Sequence, residues 1–494
     1  MRYITIPNEI SSNSLVENGY CLAPSKLTRF TPNPNVQYKT LDELITTSTR
    51  RIKIEKQSRY IYYEIGDIEV MSGFIDGREF FGYFLPSDTP LEVKSNDILV
   101  STVRTYRKGI GIVVDESETL VCSPACLLIR DVSHEVTKEY LLAFLRSDFF
   151  VEQILAFLNR GMYPRLDREA MRNIYIPLPN SGDLLKYIST LQRAVINKER
   201  EIRRKHNLIH EKIRVELESN QKADKFNYEF PSLEEVKASN RLDTNLFRTG
   251  FKKNEFLIKN YANGIVSILD LDFGISRGQN LQISAIGESI YTNNHHPKFY
   301  TLMLPKYLSR YGTVDRVEYL GNRNKLKTLN KGDLIFGAEG FEKGRSIVVT
   351  DETSKTITNI HGITLHHRQG NMLVSIFVKC FLDYLRNIGL VDLYAVGGNG
   401  GSLAMKYWDI IPFPDFPEGK QSEIAKLYHN AEAAFASDQL TVENFIVEDS
   451  IYNEAAGIVE LHKTAKKIKA RIDEAVDLIV RDKSVEIDFT FLSS

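Results

Sequence analysis

Residues 181–217 contain no proline, and no glycine after Gly182. Within this stretch Leu184, Ile188, Leu191, Val195, Ile202 and Ile209 recur at helical spacing and line one face of a long helix. Ser181 stands where an N-cap belongs, and Asp183 lies near the positive end of the helix dipole. At 1.5 Å per residue the rod is roughly 50 Å long, too long for one small domain to enclose. A solvated surface helix does not need so persistent an apolar stripe; a helix with a partner does. The chain offers a partner near its other end. Ile458, Leu461, Ala465, Ile468, Ile472, Ala475 and Ile479 step alternately by three and four, which makes a heptad seam. The two helices are expected to pack together, and any fold for this chain must accommodate them.

A chain of 494 residues has room for two to four domains, and a hydrophobic content of 43% is ordinary for a globular protein with an ample core. The net charge of −1 excludes a polyelectrolyte binder, so a nucleic-acid surface has to be local. Of the four cysteines, Cys122 and Cys126 are spaced C-x3-C without a second pair or a nearby histidine. Cys21, Cys122, Cys126 and Cys380 therefore read as small buried thiols rather than zinc ligands. The opening MRYITIPNEI has no signal-peptide pattern, and no run of about 18 apolar residues exists. No membrane association and a cytoplasmic location are expected.

Residues 1–180 look mixed α/β. Residues 59–65, 96–103 and 110–114 read as strands, 137–158 as a helix, and 174–179 as a strand ended by proline. The same plan recurs. Lys331-Gly332-Asp333-Leu334-Ile335-Phe336 repeats the strand that holds Asp97, and Lys343-Gly344 repeats Lys108-Gly109. Residues 347–349 repeat 112–114, and 410–414 repeat 175–179. The separation is 236 positions at the aspartates (97 to 333) and 235 at the other three, which indicates an internal duplication. Residues 221–227 are polar and suit a linker, and 451–481 suit the heptad helix. The expected division is 1–180, 181–222, 223–235, 236–415 and 416–494.

No catalytic constellation emerges: no G-x-S-x-G, no phosphate loop, no HExxH and no NPPY-like tetrapeptide. Glu92-Val93-Lys94 and Glu235-Val236-Lys237 contain the E-x-K half of some nuclease motifs, but such tripeptides are common. His295-His296 and His366-His367 have the chemistry for metal, yet adjacent loop histidines are more often plain polar surface. The informative loops are basic and aromatic. Arg104, Tyr106, Arg107 and Lys108 share one turn, and Arg160, Tyr163 and Arg165 share another. In the second copy Lys343 and Arg345 occupy the matched turn, and Asn399 sits in the glycine run 397–401. Arg277, Gln279 and Asn280 lie in a further loop. Arg chelates guanine, Asn and Gln chelate adenine, and glycine admits phosphate to the backbone; solvated turns share the composition. The polar face of the central helix carries Arg193, Lys198, Arg200, Arg203, Arg204, Lys205, Lys212 and Arg214, which suits DNA backbone or an acidic protein partner.

Two α/β domains, each with a Gly/Asn-Asp-Ile/Leu strand, a basic or glycine-marked turn and a proline-bearing exit, alternate with two long helical segments. This arrangement resembles the specificity subunit of type I restriction–modification systems, over nearly the whole chain. The resemblance implies two target-recognition domains separated by two long helices that form an antiparallel coiled coil. It implies sequence-specific reading of a bipartite, asymmetric site in double-stranded DNA, with no catalytic residues and no bound cofactor or metal in the chain itself. It also implies two methyltransferase (modification) subunits as partners, which bind S-adenosylmethionine and methylate adenine, and restriction subunits recruited through them. A coiled-coil scaffold that does not bind DNA, and a self-contained nuclease, are the competing readings.

Overall fold

The computed structural model describes residues 3–5, 9–17, 19–20, 22, 27, 29–69, 73–117, 119–157, 166, 168–239, 244–314, 316–340, 343–353, 355–395, 401–403, 405, 408, 411–435 and 439–492. They form two compact units. The first gathers residues 1–200, 435–453 and 463–494; the second gathers 201–434 and 454–462.

In the first unit two four-stranded sheets carry the core. One has the order Ile45–Ser48, Cys126–Val132, Ile98–Ser101, Ile110–Ile112, all antiparallel. The other has the order Arg78–Phe81, Arg59–Tyr63, Leu120–Cys122, Leu91–Glu92, with a parallel pairing between its two middle strands. The strand Ile98–Ser101 is buried at every position, which is why it reads as a continuous apolar run rather than an alternating one. The helix expected over 137–158 is two helices, Lys138–Leu145 and Asp148–Phe157. The break falls at Arg146, whose buried guanidinium turns inward and donates to the Ile110 carbonyl at 2.6 Å. Thr137 caps the first of them by accepting from the Tyr140 amide.

The second unit repeats the plan. Phe273–Arg277, Gly362–His367, Leu334–Gly337 and Ser346–Val348 form the antiparallel sheet in the same order as its counterpart. Ser289–Thr292, Glu318–Asn322, Tyr300–Leu302 and Thr356–Ile357 form the other, again with one parallel pair.

Backbone hydrogen bonds reveal the duplication more sharply than the side chains do. Val113 donates to Asp97 and Asn96 to Val113; Val349 donates to Asp333 and Gly332 to Val349. Ser101 donates to Gly109, and Gly337 to Arg345. All three pairs of bonds lie 236 positions apart (113 to 349, 96 to 332, 101 to 337). The Asp97 carboxylate accepts from the Lys94 amide at 2.7 Å, and that of Asp333 accepts from the Asn330 amide at 2.8 Å. The turn and third strand therefore match at 236, not the 235 read from the letters. Lys108 corresponds to Gly344, Arg107 to Lys343 and Gly109 to Arg345. At the exit the structural match is 237, because Leu178 donates to Gln37 as Asp415 donates to Gly264.

The central helix is Gly182–Ser219, 38 residues or about 57 Å long. Ser181 Oγ accepts from the Leu184 amide at 3.2 Å at its start. The heptad helix expected over 451–481 is interrupted. Phe445–Ala455 and Ile458–Val480 are separate helices, and a Cβ on Gly457 would stand 2.7 Å from the Tyr428 carbonyl, a close approach that glycine permits. The first unit takes the beginning of the central helix and most of the C-terminal one, from 463 on; the second unit takes the rest of the central helix and the first turn of the C-terminal one, 458–462. The two helices thus run in opposite directions. In the first unit Leu184, Ile188, Leu191 and Val195 share one buried cluster with Ile468, Ile472, Ala475 and Ile479. In the second, Ile202, Ile209, Ile458 and Leu461 are buried; Ala465, back in the first unit, is buried as well. Each such leucine, isoleucine or valine stabilises the packing by roughly 1.5–3 kcal/mol, and the two alanines by less.

Candidate nucleic-acid interface

The first candidate turn is a 3-10 turn, Thr105–Arg107, flanked by Arg104 and Lys108, both in the left-handed region at φ 52° and 60°. Thr105 Oγ1 donates to the Ser101 carbonyl at 2.7 Å and locks the turn onto the end of its strand. The four basic and aromatic side chains do not act alike. Lys108 Nζ pairs with Asp148 at 2.7 Å. Tyr106 packs, half-buried, against the first unit's core. Arg104 is half-buried, whereas Arg107 is exposed and its guanidinium has no ion-pair partner among the described residues. Arg160, Tyr163 and Arg165 lie outside the described residues, as does Asn399.

In the second unit the equivalent positions 332, 340 and 344 are glycines at positive φ where the first unit has Asn96, Arg104 and Lys108. The left-handed conformation costs a non-glycine residue about 1–2 kcal/mol. Glycine meets the same backbone demand without that strain, which Arg104 and Lys108 bear. Lys343 pairs with Asp392 at 2.8 Å. Arg345 donates to the Leu308 carbonyl at 2.7 Å from a partly buried position, which makes it a brace. Arg277 is held by Glu339 at 3.0 Å and by the Ile360 carbonyl at 2.8 Å. His361 sits 2.7 Å from the same Glu339, and these partners, His361 foremost, keep that carboxyl below its usual range. Gln279 accepts from the Lys327 amide, and Asn280 accepts from the Gln282 amide. The 277–280 loop is therefore a hydrogen-bonded rim, with Arg277, Gln279 and Asn280 each partly exposed.

The basic face of the central helix is divided: Lys198 and Lys205 are buried, whereas Arg193, Arg200, Arg204 and Arg214 are exposed. Lys198 is fully buried, 2.5 Å from Asp449 and 2.6 Å from Asn453. Burial pulls its ammonium down and pushes the Asp449 carboxyl up, each opposed by the other's charge. Lys205 is buried and donates to the Glu454 carbonyl at 2.9 Å. Arg193 pairs with Glu139, Arg204 with Glu201, Lys212 with Glu423, and Arg214 with Glu211 and Glu218. Arg200 donates to the Val114 carbonyl. Of the basic face read as suiting DNA backbone or an acidic protein partner, Lys198 and Lys205 serve packing, while Arg193, Arg200, Arg204 and Arg214 remain at the surface.

Of the thiols, Cys122, Cys126 and Cys380 are buried and free; burial pushes the Cys380 thiol up to about 12. Cys21 lies outside the described residues. Among the described residues no group of three or more His, Cys, Asp or Glu is placed to hold a metal, and no helix is long and apolar enough to cross a membrane.

Residues 33–206 match the family model described as the type I restriction modification DNA specificity domain. This bears out the resemblance over that span. Three solved structures align with most of the chain. One comes from work on complex assembly and conformational transition of the type I R-M system: 16% identity, 91% of this chain and 99% of that one, TM-score 0.32. The HsdS subunit from Thermoanaerobacter tengcongensis aligns at 17% identity over 92% of this chain and 99% of its own, TM-score 0.31. The S subunit of a type I system from M. genitalium aligns at 12% identity over 90% and 97%, TM-score 0.42. No curated protein matches.

Proposed function

We propose that this chain is the DNA-recognition subunit of a type I restriction–modification complex, in which each unit reads one half of a bipartite, asymmetric site. The observation that carries the proposal is the 236-residue spacing of the backbone hydrogen bonds around Asp97 and Asp333, combined with the family match. The match covers 33–206 alone, but the second unit is built on the same ladder, so what holds for the first unit extends to it. The two copies carry different side chains on that ladder, including Arg104 against Gly340 and Arg107 against Lys343, so the half-sites differ. Base-edge contacts supply specificity and phosphate contacts fix the register. The chain itself neither methylates nor cuts. S-adenosylmethionine, base flipping and methyl transfer belong to two partner methyltransferase subunits, and cleavage to restriction subunits joined through them, in the cytoplasm.

The test is co-expression with the methyltransferase encoded in the same host, followed by methylome sequencing. The expected outcome is adenine methylation at two unlike half-sites separated by a fixed gap, and none without this chain. Methylation by the purified chain alone, or a single uninterrupted site, would contradict the proposal.

A further inference from the structure

Residues 50–59 read R-R-I-K-I-E-K-Q-S-R, five cations against one anion in a chain whose net charge is −1. Arg50 leans on Glu92 at 3.6 Å and Arg59 on Glu79 at 3.2 Å. Lys53 and Lys56 are exposed and have no ion-pair partner among the described residues. Beside this segment runs Arg78–Phe81, an edge strand of its sheet, continuing into the turn Gly82–Phe84. There three aromatic side chains face solvent: Phe81 at 46%, Tyr83 at 70% and Phe84 at 68% exposure.

Such exposure is not looseness. Gly82 donates to the Ser58 carbonyl at 2.8 Å and Tyr83 to the Lys56 carbonyl at 3.0 Å, which ties the aromatic turn to the basic segment. A Cβ at position 82 would lie 2.2 Å from the Glu55 carbonyl oxygen, so the two backbones meet at a distance that only glycine tolerates. Tyr83 and Phe84 meet edge to face at 5.5 Å. Lys56 lies 5.7 Å from the Tyr83 ring centre and Arg59 4.9 Å from that of Phe81. Apolar area held rigidly in water, interleaved with cations, is how proteins meet nucleic acid: aromatic faces take bases or wedge between them, and ammonium groups take phosphates.

We infer that residues 50–59 and 81–84 form a duplex-DNA contact surface of the first unit, with Lys53 and Lys56 on phosphates and Tyr83 and Phe84 against the bases. This rests on the DNA-recognition reading above and assigns it residues outside the Arg104–Lys108 turn. The second unit has its own version. An added strand, Ser289–Thr292, occupies the corresponding sheet edge and exposes Ile290 and Tyr291, so the surface differs between the halves.

The test uses the full chain and a fluorescently labelled 30-base-pair duplex, titrated across a salt series. Lys53→Ala/Lys56→Ala should reduce the slope of log affinity against log salt by about 2, one unit per phosphate contact. Lys53→Arg/Lys56→Arg should keep it. Tyr83→Ala/Phe84→Ala should weaken binding on the order of tenfold or more with the slope unchanged, since a ring wedged against a base step of the duplex releases no counterion. Unchanged thermal melting certifies that the variants fold. Wild-type affinity and slope in both alanine variants overturns the inference and leaves the DNA-recognition reading standing. Variants that bind DNA normally but no longer assemble with a methyltransferase overturn it in favour of a protein-docking surface. A wild-type chain that binds no duplex, alone or with the methyltransferase, overturns both.

Discussion

Arg107 and Arg345 occupy nearly matched turns and have opposite fates. Arg107 is exposed; Arg345 spends its guanidinium on the Leu308 carbonyl. Arg107→Ala is expected to leave the melting temperature unchanged and to relax the methylated sequence at one base position, a loss of about 1–3 kcal/mol of discrimination. Arg345→Ala is expected to destabilise the second unit by about 1–3 kcal/mol, because a buried carbonyl loses a charged donor. Methylome sequencing and thermal melting of the two variants separate these outcomes; a melting loss in Arg107→Ala would show that it braces the turn instead. From the letters both residues were basic groups in a glycine-marked turn. What separated them was whether a carbonyl lay within reach, and that carbonyl comes from a position 37 residues away.

Among the elements, the central helix shows why apolar periodicity is legible and polar function is not. Its seam residues are buried as their spacing demands. Lys198, read as part of a polar basic face suited to DNA backbone or an acidic protein partner, faces Asp449 and Asn453 on the helix Phe445–Ala455 and the rings of Phe435 and Tyr452. A buried ion pair stabilises little by itself, but losing one partner leaves the other charge stranded. Lys198→Met is therefore expected to cost about 3–5 kcal/mol in the first unit, and the double variant Lys198→Met/Asp449→Leu to recover most of it. Chemical denaturation of the two variants checks this; equal losses in both would mean that the pair's partners, not its charges, carry the effect.

For the whole molecule, the two antiparallel helices each contribute to both units, the central one about equally and the C-terminal one mainly to the first. If they set the gap between half-sites, a matched four-residue insertion at 200/201 and 462/463 adds about 6 Å to each. The mapped gap should then lengthen by one or two base pairs, at about 3.4 Å each, while the bases read within each half stay the same. An active variant with an unaltered gap would remove the helices from that role. A changed half-site sequence would remove the separation between reading and spacing.

Periodicity alone determined the long helix, the heptad seam and the existence of a duplication, since these depend on local spacing and on burial averaged over many residues. The strands around Asp97 and Asp333 were legible as short runs of apolar residues, because both faces of each strand are buried. Only the tertiary structure decided the register of the repeat, because the turn is defined by backbone bonds and positive φ that Asn96, Arg104 and Lys108 share with glycines 332, 340 and 344. It also decided where helices break, at Arg146 and Gly457, since the causes are a carbonyl and a neighbouring helix end far along the chain. Finally, it decided which cations face solvent. A lysine is the same letter whether it meets water, as at Lys53 and Lys56, or a buried aspartate, as at Lys198, and only packing supplies the partner.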